Sequence, residues 1–119
     1  MKRYCMINEL KEEHVSDYVE IHKNAHLTEW KTQLDALKAA GAENCIVYIY
    51  KNLSILIYEC EDIDESFASL GQIEDNNRWQ ATVAPWFAGT PKFDGTQKVV
   101  SMEKIFDLKQ QLEGKLDQY

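Results

Sequence analysis

Apolar positions along the chain change their period repeatedly, and each change marks an element. From Lys2 to Asn8 charged, aromatic and apolar residues mix without Pro or Gly, which predicts a strand ending at the charged stretch Glu9 to Glu13. Val15, Tyr18, Val19 and His22 then fall at i, i+3, i+4 and i+7, one face of a helix. Leu27, Trp30, Leu34 and Leu37 continue the helical spacing, and Gly41 supplies the stop. Cys45 to Tyr50 and Leu53 to Cys60 are β-rich runs separated by Lys51 and Asn52, so they predict an antiparallel hairpin with a tight turn. Asp62 or Asp64 offers an N-cap to a second helical region, in which Phe67 and Leu70 are followed, after a break near Gly71, by Ile73, Trp79 and Val83; Pro85 ends it. Trp86 to Lys98 holds Gly89, Pro91 and Gly95, dense turn chemistry that predicts a loop at a pocket rim. Val99 to Leu108 reads as the last strand and Lys109 to Tyr119 as a polar tail.

The order β-α-β-β-α-β predicts an α+β, ferredoxin-like fold: a four-stranded antiparallel sheet with helices on one face. A chain of 119 residues has room for one core, so residues 1–108 form a single domain and 109–119 its tail. The other face of that sheet must be covered or solvated, and the apolar content of the strands predicts dimerisation, as a homodimer, or closure against a partner sheet. Thirteen basic residues against twenty acidic ones leave a net charge of -7, which repels a phosphate backbone and excludes nucleic acid as a partner. No apolar stretch approaches a membrane span, and the start of the chain is interrupted by charge too soon for a signal peptide, so a cytoplasmic location is expected. Cys5, Cys45 and Cys60 form no C-x-x-C pair and lie in apolar runs, as reduced, partly buried thiols do.

The candidate chemistry centres on Tyr18, His22 and His26, one helical turn apart. Two imidazoles at i and i+4 supply two metal ligands without a third and without the Glu of H-E-x-x-H, so no metal is expected. Histidine titrates near neutrality and serves as acid or base without tuning, which suits proton transfer; the bland alternative is a pair of surface histidines. Trp30, Trp79 and Trp86 can stack on the C–H face of a sugar and donate an indole N–H, or can fill a core. Arg78 cannot share the helix face of Trp79, and Tyr48 and Tyr50 alternate onto one face of the hairpin.

In this order of residues the chain resembles the L-rhamnose mutarotases, small dimeric ferredoxin-like proteins of the dimeric α/β barrel type. The resemblance runs from Lys2-Arg3-Tyr4 through Tyr18-x-x-x-His22, Trp30, Asn44-Cys45-Ile46-Val47-Tyr48 and Arg78-Trp79 to Met102-Glu103-Lys104-Ile105-Phe106. It implies an isomerase acting on a free monosaccharide without a cofactor, with His22 as proton donor and Tyr18 binding the sugar. Trp30, Tyr48, Trp79 and Gln80 complete the candidate contacts. The family's tryptophan one turn after the histidine is matched here by Trp30, with His26 in the earlier place; if that extra turn precedes the site, His26 is the acid. Cys45 stands where the family has a second sugar-contacting tyrosine, and Trp79-Gln80 where it has paired tryptophans. Such losses reshape the pocket and bring L-fucose in beside L-rhamnose. The rival readings are a non-catalytic ligand-binding or regulatory dimer on the same fold and a cofactor-free monooxygenase with an apolar pocket.

Overall fold

A computed structural model describes residues 1–89, 95–96 and 101–119 of the chain. Three strands, β1 (Lys2–Glu9), β2 (Asn44–Tyr50) and β3 (Leu53–Cys60), form an antiparallel sheet in the order β1-β3-β2. β2 and β3 are joined by the expected two-residue turn, with Lys51 at φ 54°, the left-handed conformation that such a turn requires. The register pairs Tyr4 with Tyr58 and Tyr58 with Cys45, and Met6 with Leu56 and Leu56 with Val47. Because side chains alternate, these residues share one face with Asn8 and Ser54, while Ile7, Ile46, Tyr48, Tyr50, Leu53, Ile55 and Ile57 share the other.

The helices are α1 (Val15–Lys23), α2 (Lys31–Ala39), α3 (Ile63–Gly71), α4 (Glu74–Val83) and α5 (Leu108–Leu112). Asp62 caps α3, its carboxylate accepting from the Glu65 N–H at 3.0 Å. The break expected near Gly71 separates α3 from α4, and beyond α4 a 3-10 turn carries Ala84–Trp86 through Pro85.

The first helical region departs from the continuous periodicity of the sequence. After Lys23 the chain leaves the α conformation, makes a 3-10 turn over Ala25–Leu27 and restarts at Lys31. Local side chains compete with the helix for its backbone groups: the Asn24 amide donates to the Glu20 carbonyl at 3.1 Å, and the Trp30 N–H donates to Thr28 Oγ1 at 3.2 Å. The break changes the helical phase. Leu27 is left 70 % exposed and Leu34 45 %, whereas Gln33 and Ala36 are buried.

The fourth strand expected over Val99 to Leu108 is not part of the described sheet. Val99 and Val100 lie outside the described residues, and residues 101–107 have no strand geometry. The Met102 N–H donates to the Cys5 carbonyl at 2.7 Å, so the chain passes the outer edge of β1, but a strand pairing needs a ladder of such bonds. The tail then turns back through Lys104, which pairs with Asp117 at 3.0 Å, and the Tyr119 ring comes 5.0 Å from Tyr4. Of the expected rim loop, residues 90–94 and 97–98 lie outside the described residues; Gly95, at φ 84°, abuts Ala68, whose Cα would lie 2.5 Å from an added Cβ.

The core between sheet and helices is divided. One cluster joins Tyr4, Met6, Tyr58 and Cys60 to Ile63, Phe67 and Leu70; the other joins Leu10, Tyr18, Trp79, Val83 and Phe87. Both clusters contribute walls to a single cavity. No helix among the described residues is long and apolar enough to cross a membrane.

Candidate active site

The cavity, of about 350 Å³, lies under the inner sheet face. Val47, Leu56, Leu37 and Val83 make much of its wall apolar, and Tyr18, His22, Ser54, Gln33 and Gln80 bring polar groups to it. This combination of apolar wall and few polar groups is usual for a small-molecule site.

Helical spacing puts Tyr18 and His22 on the buried side of α1. The Tyr18 hydroxyl reaches across to Ser54 Oγ on β3, 2.7 Å away, so the helix is tied to the sheet at the cavity wall. One turn on, His22 Nδ1 donates to the Tyr18 backbone carbonyl at 2.6 Å. A carbonyl can only accept, so Nδ1 carries a hydrogen in either protonation state, and in the neutral ring Nε2 is the lone-pair nitrogen. The His22 ring stands 4.2 Å from that of Tyr18 and meets Trp79 edge-on at 5.1 Å. Trp79 is in turn met edge-on by Trp30 at 5.4 Å, and Arg78, paired with Asp75 at 2.8 Å, lies over the Trp30 ring.

Burial holds the His22 imidazole below its ordinary value of 6.5, against the opposing pull of the bond to Tyr18. Burial likewise raises the Tyr18 phenol, with the Ser54 bond offsetting part of the rise. Tyr58 is pushed up to about 12 and Cys45 to about 11, both chiefly by burial. At neutral pH the imidazole, phenols and thiol on the cavity wall are uncharged, and among these the imidazole is the group suited to proton exchange.

Of the residues singled out in the sequence, Tyr18, His22, Trp79 and Gln80 line the cavity, together with Cys45. Trp30 stands behind Trp79 and not on the wall. His26 does not share a helix face with His22, because α1 ends at Lys23; it is exposed on the 3-10 turn and away from the cavity wall. Tyr48 lies on the opposite face of the sheet, 59 % exposed. Sequence reasoning missed Asn8, Gln33, Ser54 and Phe87, all on the wall. Asn8 and Ser54 carried a signal, since each is a polar residue in the inward register of an otherwise apolar strand.

The family described as L-rhamnose mutarotase matches residues 3–108. Among solved structures, the crystal structure of L-rhamnose mutarotase FA22100 from Formosa agariphila superposes with a TM-score of 0.65 at 16% sequence identity, over 91% of this chain and 99% of that one. At that identity the likeness is one of fold. No curated protein matches the chain.

Proposed function

The chain belongs to the L-rhamnose mutarotase family, isomerases that act on carbohydrates, and from that premise we propose that it interconverts the α and β anomers of a free deoxyhexose, L-rhamnose in the first place. The observation that carries this reading is the neutral His22, its Nδ1 hydrogen committed to Tyr18, on the wall of an aromatic cavity.

Mutarotation needs a proton removed from the C1 hydroxyl and a proton delivered to the ring oxygen. His22 Nε2 takes the C1 hydroxyl proton as the C1–O5 bond breaks and C1 becomes an aldehyde, and the imidazolium so formed gives its proton to O5. Rotation about C1–C2 and the reverse transfers close the other anomer, with no net change in atoms or electrons. The sequence suggested His22 as the proton donor; the tautomer makes it collect the proton before delivering it. Tyr18, Trp79 and Gln80 orient the sugar, with Trp30 bracing Trp79. Cys45 and Gln80, where the resemblance puts aromatic residues, leave the wall less stacked, and this favours testing L-fucose beside L-rhamnose. The working unit in this reading is a cytoplasmic homodimer of ferredoxin-like domains.

Exchange between anomeric signals, followed by NMR on both sugars, tests the proposal. The wild type is expected to accelerate exchange of at least one sugar, and His22→Ala to slow it by about a hundredfold or more. An unchanged rate in His22→Ala with loss in His26→Ala moves the role by one turn; no acceleration by the wild type leaves the ligand-binding dimer as the reading.

A further inference from the structure

Between α2 and α4 three amides, two of them on the cavity wall and Asn76 behind it, have an orientation fixed from one end. Asn76, on α4, has no exposed surface, and its Nδ2 donates to the Leu70 carbonyl at 3.1 Å. That carbonyl can only accept, so Asn76 Oδ1 must face the other way, where it accepts from Gln33 Nε2 at 2.9 Å and Gln80 Nε2 at 3.4 Å. Turning the Gln33 amide over would set oxygen against oxygen. Gln33 is therefore held with its NH2 toward Asn76 and its carbonyl oxygen away.

That oxygen has no hydrogen-bond partner among the described residues, and Gln33 is 5 % exposed. An unpaired buried acceptor destabilises the fold, and native proteins seldom leave one without a use. Gln33 is part of the cavity wall, so a molecule bound in the cavity can supply the missing donor. Gln80, held by the same Asn76, lies on the wall as well.

We propose that Gln33 Oε1 accepts a hydrogen bond from a hydroxyl of the sugar in the cavity, which makes Gln33 a specificity-determining residue selecting for a pyranose that carries that hydroxyl. The assignment rests on the mutarotase reading of the same cavity. A fixed, desolvated acceptor discriminates strongly, because a sugar lacking the hydroxyl leaves the oxygen unpaired in the complex as well. Asn76 is the positioning residue that sets the sign of the contact.

The test crosses protein variants with substrate variants. Anomer exchange is measured by NMR for L-rhamnose and L-fucose and for their monodeoxy derivatives, each lacking one ring hydroxyl other than that on C1. In the wild type one derivative is expected to lose about a hundredfold or more in kcat/KM. In Gln33→Leu and Gln33→Met the parent sugar is expected to fall toward that derivative, so that the ratio between them collapses to within a few-fold. Partial unfolding lowers both rates together and leaves the ratio intact, so stability cannot mimic the effect. An unchanged ratio in both variants, or no derivative discriminated by the wild type, overturns the assignment and leaves Oε1 paired by buried water. Absence of exchange with every parent sugar overturns the mutarotase reading and this inference together.

Discussion

His22 shows how one backbone contact sets the direction of a proton. With Nδ1 bonded to the Tyr18 carbonyl, Nε2 is the nitrogen that titrates, and burial keeps it neutral to lower pH than a free imidazole. If Nε2 acts first as a base, exchange above the spontaneous rate is flat at and above pH 6.5 and declines as pH falls through the lowered value of His22; an activity that instead declines as pH rises through that value identifies acid-first transfer. The same shift has a stability consequence. Below pH 6.5 the unfolded chain binds the His22 proton more readily than the folded one, so this group's contribution is present above 6.5 and is lost as pH falls toward the folded value. Tyr18 and Ser54 make a second residue-scale prediction. Tyr18→Phe leaves the Ser54 hydroxyl buried without its phenol partner and is expected to cost about 1–2 kcal/mol in urea unfolding. Ser54→Ala added to it should cost less than the sum of the two single changes, and simple additivity counts against the bond.

Among the elements, those whose pattern is self-consistent were legible in the sequence. Residue type placed the three strands of the described sheet but also a fourth over Val99 to Leu108 that is not part of it, Lys51-Asn52 placed the hairpin, and Asp62 was one of the two N-caps offered for the helix that packs on the inner face. Asp62→Ala is expected to cost about 1 kcal/mol, a few degrees in thermal unfolding, while Asp62→Asn keeps most of the cap; equal melting of wild type and Asp62→Ala dismisses it. The first helical region was legible as helix but not in phase. Periodicity over Val15 to Leu37 treats the segment as one rod, whereas Asn24 and Thr28 bond the local backbone and break it. From that break follow the exposure of His26, the displacement of Leu34 from the core and the burial of Gln33. The candidate site was accordingly legible on α1 and α4, at Tyr18, His22, Trp79 and Gln80, and on the sheet at Cys45, but missed on α2 at Gln33 and on the sheet at Asn8 and Ser54. Tyr48 and Tyr50 were paired on one face by alternation, but only the packing of helices against Tyr4, Met6 and Tyr58 decides that theirs is the outer one.

At the scale of the molecule the unresolved demand is the outer sheet face. Ile7, Tyr48 and Tyr50 are exposed there around Ile46, Ile55 and Ile57, and the Arg3–Glu59 pair, 3.7 Å apart, marks its polar margin. A contiguous apolar sheet face on a 13.8 kDa chain is costly to leave in water, and a second copy brought up by a two-fold axis covers both faces at once. Light scattering is expected to give twice the mass of one chain at micromolar concentration. Ile55→Lys, at the centre of the face between Ile7 and Tyr48, should halve that mass with the circular dichroism unchanged. A wild type already at single-chain mass rejects the dimer. The cavity lies on the other side of the sheet from the exposed apolar face, so the two surfaces are separable. The Ile55→Lys monomer should accordingly retain anomer exchange per chain to within a few-fold. A collapse of that rate in a folded monomer shows instead that the second copy holds the sheet, and with it Ser54, in the position that fixes Tyr18 and His22.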